Sequence, residues 1–364
     1  MKKRKLGLAL SLVLAAGTLL GACGKSNDNT KTANKGKAFT VGMVTDIGGI
    51  DDKSFNQSAW KGLQDYGKEN NLQKGKNGYD YVQSKSDADY ATNLNTLSRQ
   101  GFDLVYGIGF LMQKDVEKIA SQRPKSNFAI VDSVVAKPNV ASILFKENES
   151  SFLAGIAAGM ATKTNKIGFI GGMKSEVIDR FEAGFRAGVK TANPNATVDV
   201  QYAASFTSAE KGQAIASKMY STGEDVIFHA AGATGNGLFK EARDRLSKDP
   251  SKVIWAIGVD SDQSNEGLVT VNGKQQNVVL TSALKRVDVA VKDLSTKAKD
   301  GKFPGGKTIT YGLSEDGVGL AAINDAVANK ADIEKAVASW SDKIKSGSLK
   351  IPAKPEEVKD FTAK

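Results

Sequence analysis

The sequence predicts an α/β fold of two doubly wound, Rossmann-like parallel-sheet lobes joined by a hinge of three crossings. Three observations support this. Apolar β-type runs alternate with helical patterns almost to the end of the chain. Those runs are continuously apolar rather than alternating, as expected of strands covered on both faces by helices. The roughly 320 residues beyond residue 37 exceed the size at which a single hydrophobic core keeps growing, so two lobes are expected.

In chain order, the first element is a leader. Lys2, Lys3, Arg4 and Lys5 form a basic start, residues 6–20 are an apolar run, and Leu20-Gly21-Ala22-Cys23 sets the chain's one cysteine where a cleavage site would lie. The apolar run is too short for a stable span, and residues 1–22 read as a bacterial lipoprotein signal peptide. Cleavage would leave Cys23 first, its thiol carrying a diacylglycerol and its amino group open to a further acyl chain such as palmitate. Each buried CH₂ contributes roughly 0.8 kcal/mol, so two or three chains hold a globular domain to a membrane without a transmembrane helix. The other reading of the same residues is an ordinary secretory signal with a chance cysteine. Residues 23–37 are polar after the cysteine (GKSNDNTKTANKGK) and form a flexible tether.

Loss of the leader removes four basic residues and no acidic ones, leaving 46 basic against 40 acidic residues, +6 in place of +10. The surplus is spread along the chain, unlike the concentrated Lys and Arg stripe of a nucleic-acid reader, so no nucleic-acid partner is expected. It suits a protein lying near an anionic membrane surface. With Cys23 consumed by lipid, the mature chain has no disulfide, no thiolate metal ligand and no cysteine nucleophile.

Strands are expected at 39–45, 79–83, 104–107, 127–131 and 140–145, then at 166–171, 197–202, 226–229, 253–259 and 278–282. Amphipathic helices are expected between them at 56–69, 89–100, 111–122, 147–162, 175–192, 209–221, 235–249 and 287–301. Such alternation builds parallel sheets through right-handed crossovers. The N-terminal lobe is expected to comprise 38–145 with 276–302 and the C-terminal lobe 146–275 with 303–364. The crossings would then lie near 145, 260–276 and 302.

In doubly wound sheets, ligands bind beyond the carboxyl ends of the strands. The loops there are residues 46–56, 108–110, 132–133, 171–172, 229–237 and 260–263. Both lobes present aspartates and glycines at equivalent edges, and two facing edges make a cleft. Asp at a strand end often only caps the next helix, and Asp51 and Asp132 carry both readings. Gly107, Gly109 and Gly232 serve backbone geometry first. Phe55 is harder to dismiss, because a large ring between Ser54 and Asn56 needs the helix core or a flat ligand as partner. His229, the only histidine, is expected to be a buried strand-end residue rather than a catalytic base, since no nucleophile pattern surrounds it.

Five motifs occur in order: 44–56 (VTDIGGIDDKSFN), 152–155 (FLAG), 232–237 (GATGNG), 258–263 (GVDSDQ) and 282–288 (SALKRVD). Together they resemble the basic membrane protein (BMP) family of lipoproteins, similar to the purine nucleoside receptors of ABC importers, over essentially the whole mature chain. Ala233 departs from the family, which often has Gly there. The resemblance implies a type I periplasmic-binding-protein fold whose lobes close on a nucleoside. It implies that Asp46 and Phe55, with Asn56 beside them, serve the base, Phe55 stacking on one face and Phe228 on the other. Asp132 would read the base's donor groups. Asp260 would accept both ribose hydroxyls, with Lys285 and the backbone around Gly232 completing the ribose contacts. The implied partners are a nucleoside, ABC permease subunits and the membrane through Cys23. A monomer on the outer face of the cell membrane, of Gram-positive type, is expected, with no cofactor and no metal.

The chemistry is coherent on its own terms. Two aromatic faces each contribute roughly 1–3 kcal/mol of stacking to a base, and a carboxylate taking two hydroxyl protons makes charge-assisted bonds that demand geometry. Deoxyribosides should bind more weakly than ribosides. No run of basic residues marks a phosphate site, so nucleotides should be poor ligands. The rival from another class is an enzyme. The Gly109 region lacks G-x-G-x-x-G, no G-x-x-x-x-G-K-[ST] or H-E-x-x-H is present, and one histidine leaves few routes to acid–base or zinc chemistry, so no catalytic residue is assigned. Two further readings keep the fold and change the role: a sugar or signalling-molecule binder, and a sensory or adhesive lipoprotein.

Overall fold

A computed structural model describes residues 38–363; the signal peptide, Cys23 and the tether expected at the amino terminus lie outside the described residues. The strands are β1 (Val41–Thr45), β2 (Tyr79–Gln83), β3 (Leu104–Ile108), β4 (Asn127–Val131), β5 (Val140–Phe145), β6 (Lys166–Gly171), β7 (Thr197–Tyr202), β8 (Val226–Ala230), β9 (Trp255–Asp260), β10 (Leu268–Val271), β11 (Lys274–Asn277), β12 (Val279–Lys285), β13 (Thr308–Tyr311) and β14 (Val318–Leu320). The helices are α1 (Phe55–Glu69), α2 (Tyr90–Gln100), α3 (Gln113–Gln122), α4 (Glu147–Ala161), α5 (Glu176–Ala192), α6 (Ala209–Thr222), α7 (Asn236–Lys248), α8 (Val287–Lys299) and α9 (Lys330–Lys345).

The first sheet runs β13-β5-β4-β3-β1-β2 with every pair parallel. The second runs β14-β12-β9-β8-β6-β7, parallel except for the edge pair β12–β14. Alternate residues of the first sheet enter different cores. Val41, Met43, Tyr106 and Ile108 pack with Leu63 of α1 and Leu294 of α8, whereas Val44, Val105, Phe128 and Ile130 pack with Leu94 of α2 and Ile119 of α3. Burial on both faces is why the strand sequences are apolar without alternation.

All ten expected strands and all eight expected helices form, with small shifts at their ends. The expected lobe boundaries are corrected in two places. β12 pairs with β9 in the second sheet, so the crossing expected within 260–276 falls after Lys285, where α8 enters the first lobe and packs on α1. β13 pairs with β5 in the first sheet, so the crossing expected near 302 falls between Tyr311 and Val318. The first of these shifts follows from β10 and β11, a hairpin packed on the second lobe's core. Its turn is Asn272-Gly273, both at positive φ (50° and 76°). Asn-Gly between two short strands is the strongest local hairpin signal, and it went unread in the sequence.

At the first crossing, α4 is buried on nearly every side and lies very close to α5. A Cβ on Gly188 would sit 2.1 Å from the Phe152 carbonyl oxygen, so only glycine permits this approach. The close contact brings the first residue of α4, Glu147, beside Arg180 of α5. Among the described residues, no helix is long and apolar enough to cross a membrane.

Candidate functional site

Residues at the carboxyl ends of β1, β3, β4, β8, β9 and β12 line one cleft. Asp46, directly after β1, accepts hydrogen bonds on Oδ1 from Gly48 N and Asn56 Nδ2, each at 2.8 Å. Burial pushes its carboxyl up to about 6, and those two donors only partly offset the shift.

The helix cap in this loop is Asp52 rather than Asp51, which is exposed. The backbone N–H groups of Ser54, Asn56 and Gln57 donate to the Asp52 carboxylate at 2.9, 2.8 and 3.1 Å. Capping fixes the chain entering α1. It places Phe55 in the cleft wall and turns the Ser54 hydroxyl toward the other lobe.

Asp132 follows β4 and Asp260 ends β9, one in each lobe, and both have left-handed backbone (φ 69° and 64°). For a residue with a Cβ, that conformation stores about 1–3 kcal/mol and tends to occur where geometry serves a site. Neither carboxylate caps a helix. Asp260 Oδ2 accepts from the Ser54 hydroxyl across the cleft. Burial pushes its carboxyl up to about 7, with Lys285 and Ser54 opposing.

Lys285 closes β12 and is 1 % exposed. Its ammonium lies 2.5 Å from Asp132 Oδ2 and 3.1 Å from Glu147 Oε1, with the rings of Phe55, Phe145 and Phe181 at 5.0, 5.1 and 5.9 Å. Burial lowers its pKa, but Asp132, Glu147 and Asp260 outweigh burial and raise it above the ordinary lysine value. The second oxygen of Glu147 accepts from Arg180 Nε at 2.5 Å. Burial pulls the Glu147 carboxyl upward, yet the two cations hold it below the usual range. At Asp132 burial wins over Lys285, and its pKa is raised. The Asp132–Lys285 pair joins the lobes at the hinge.

Phe55, Phe110, Phe181 and Phe206 supply the aromatic walls. Phe110 and Phe206 come from opposite lobes and meet edge to face, with centroids 6.2 Å apart and planes at 77°. Lys285 and Arg180 are each paired with a carboxylate, while Asp132 Oδ1 is buried and accepts no hydrogen bond from the described residues. Such a cleft suits an uncharged, flat ligand rich in hydrogen-bond donors.

Of the residues expected in the site, Asp46, Phe55, Asn56, Asp132, Gly232, Asp260 and Lys285 line the cleft. Phe228 does not, and its expected stacking role is corrected. Its ring is fully buried among Phe169, Phe181 and Phe185. It sits two residues before the end of β8, where a covered strand points its side chains into the helix layer, and only residues beyond the strand end reach the cleft. The second-lobe rings at the cleft are instead Phe181, on α5, and Phe206, from the polar stretch AASFTS after β7, and the signal that marked Phe55 would have found Phe206. Glu147 and Arg180 were also missed. They are ordinary charged residues on helices, and only the hinge brings them to Lys285.

Three comparisons place this arrangement among known proteins. The family described as ABC transporter substrate-binding protein PnrA-like (Bmp) matches residues 39–354. The chain is 56 % identical over 359 residues to a CD4+ T-cell-stimulating antigen of Listeria monocytogenes, covering 98 % of this chain and 100 % of that protein. It is 48 % identical over 358 residues to the ABC transporter nucleoside-binding protein BmpA of Lactococcus lactis subsp. cremoris, covering 97 % and 100 %. Among solved structures, an ABC transporter solute-binding protein from Aeropyrum pernix superposes with a TM-score of 0.75 at 26 % identity, over 88 % of this chain and 98 % of that one. The two parallel-sheet lobes, the cleft at their carboxyl edges and a match over nearly the whole described chain lead to one assignment: the protein belongs to the Bmp family of PnrA-like ABC transporter substrate-binding proteins, which bind their substrates without converting them.

Proposed function

We propose that this chain captures nucleosides, purine nucleosides foremost, between its lobes and delivers them to the permease of an ABC importer. In this reading it is a monomer held to the outer face of the cell membrane by lipid on Cys23. The observation that carries it is a cleft that combines phenyl walls with buried carboxylates turned inward, its lining lysine, Lys285, already paired with Asp132 and Glu147. Phe55 and Phe206 offer faces to a base, Asp46 with Asn56 and the free Oδ1 of Asp132 suit its N–H groups, and Asp260 suits the ribose hydroxyls. The nucleoside-binding relative from Lactococcus points the same way.

Isothermal titration with adenosine, guanosine, inosine, uridine, cytidine and ribose tests the reading. Tight binding of at least one nucleoside supports it. No heat from any nucleoside, in a sample shown to be folded, overturns the ligand assignment and directs attention to sugars and signalling molecules. Labelling of cells with palmitate, lost in Cys23→Ala, is the expected result for the anchor.

Phe206→Ala is expected to weaken nucleoside binding about tenfold or more, the worth of one stacking face, with little change in Tm. Phe228→Ala should do the reverse and cost about 3–5 kcal/mol of stability through the cavity it leaves. Calorimetry of both variants separates the two roles.

Affinity should depend on pH. Ribose hydroxyls donate to ionised Asp260, whose carboxyl titrates at about 7 in the unliganded cleft. Binding should therefore weaken as pH falls through 7, and ligand should displace a proton near neutrality. Asp260 affects folding with the opposite sign. Its folded pKa lies above its unfolded value of 3.8, so the folded state binds the extra proton and this term lowers stability as pH rises from about 4 to 7. Titration in buffers of different ionisation enthalpy, on wild type and Asp260→Asn, measures the proton release. It should vanish in the variant.

A further inference from the structure

Three polar contacts cross the cleft from one short segment of the first lobe. The Ser54 hydroxyl donates to Asp260, the Lys53 carbonyl accepts from Gln263 Nε2 at 2.9 Å, and the Asp52 carbonyl accepts from Asn236 Nδ2 at 3.4 Å. The segment is preset for this reach. Lys53 has left-handed backbone (φ 62°), and the Asp52 cap fixes Ser54 and the first turn of α1 behind it.

The Gln263 amide has only one orientation open to it. The Val259 backbone N–H, which can only donate, lies 2.8 Å from Oε1, so that atom must be the oxygen. His229 Nε2 lies 3.0 Å from the same oxygen and must therefore carry the imidazole proton. Burial lowers the His229 pKa to about 4, so the ring is neutral and Nδ1 is bare, in keeping with its lack of a partner. With Oε1 held inward by two donors, Nε2 has to point outward, toward Lys53. The seat is built for the ring: a Cβ on Gly235 would lie 2.0 Å from His229 Nδ1.

We propose that Gln263 is the closure latch of this cleft and that His229 is its positioning residue, fixing the amide so that its N–H grips the Lys53 carbonyl only when the lobes are shut. The latch adjoins the ligand's own acceptor. Asp260 is bound by Ser54, the residue next to Lys53, so seating the loop for the latch and orienting Asp260 are one movement. Occupancy of the cleft and closure are thereby linked. The inference takes the cleft to be the ligand site, as proposed above. It gives the single histidine a role that neither catalysis nor ligand contact supplies.

The test compares Gln263→Glu with Gln263→Met in a soluble chain starting at residue 25, since Ala38–Lys364 form a compact unit of their own. Glutamate keeps an inward oxygen for Val259 and His229 but sets a second oxygen against the Lys53 carbonyl. Methionine removes the amide at similar size. Without ligand, small-angle scattering is expected to show a larger radius of gyration for the Glu variant than for wild type, with Met in between. With adenosine as probe, stopped-flow dissociation should be about tenfold faster in the Glu variant, the worth of one cross-lobe hydrogen bond. Should the Glu variant fail to fold, the Met variant decides by the same readouts. Wild-type compactness and dissociation in the Glu variant, or in the Met variant where only that one folds, would overturn the latch. If wild type binds no nucleoside, the scattering comparison still decides the latch, and only the ligand reading fails.

Discussion

Asp260→Asn is expected to weaken nucleoside binding about a hundredfold at pH 8, where the wild-type carboxyl is ionised. A hydrogen bond to a charged group contributes roughly 1.5–3 kcal/mol, so two ribose hydroxyls on one carboxylate account for at least two decades of affinity. Asparagine keeps the size of the side chain but presents a single carbonyl oxygen, and its amide nitrogen faces one of the two donors. Its left-handed backbone is tolerated, since Asn enters that region more readily than most residues. The loss should shrink at pH 5.5, because protonated Asp260 is already a poor acceptor pair. Ribosides should lose much more than 2′-deoxyribosides, which engage the carboxylate through fewer hydroxyls. Titration of adenosine and 2′-deoxyadenosine against both proteins measures this, and equal losses for the two ligands would remove Asp260 from ribose recognition.

Lys285→Met is expected to destabilise the fold by about 3–5 kcal/mol, the usual result of removing one partner from a buried ion cluster. Lys285 is in direct contact with Asp132, on which Arg180 acts only at longer range, while Lys285 and Arg180 share Glu147. Methionine fills the space among the three rings but leaves Asp132 buried without its contacting cation. Asp132 would respond by taking up a proton, so the variant should be least stable at high pH and recover partly below its raised pKa. Adding Asp132→Asn to Lys285→Met should restore part of the loss. A double-mutant cycle by thermal or urea unfolding gives the coupling. Additive losses in that cycle would show that the pair does not act as a unit.

In the Lys285 cluster, Glu147 and Arg180 are residues whose importance could not be read locally, whereas Lys285 and Asp132 were legible through ordered motifs and strand ends. The strands and helices were readable because burial on both faces of a sheet writes continuous apolar runs, and helix faces write a 3.6-residue period. Both signals act over a dozen residues. Phe55 stood out because a ring in a polar loop lacks a local partner. Phe228 misled because its apolar neighbours fit a strand next to a ligand edge and a strand inside a core equally well. Only the position of the strand's end, two residues later, separates these cases.

The sequence by itself determined the fold class, the family and seven of the residues that line the cleft, because those derive from local period, turn chemistry and ordered motifs. Tertiary structure alone decided which strand joins which sheet, where the chain crosses between lobes, and which charges meet. Ser54 and Asp260 are 206 residues apart in sequence, and Asp132 and Lys285 are 153 apart. No periodicity reaches that far. Such contacts are set by which strands pair at the hinge, and the same burial that brings them together raises the Asp132 carboxyl and pushes that of Asp260 up to about 7.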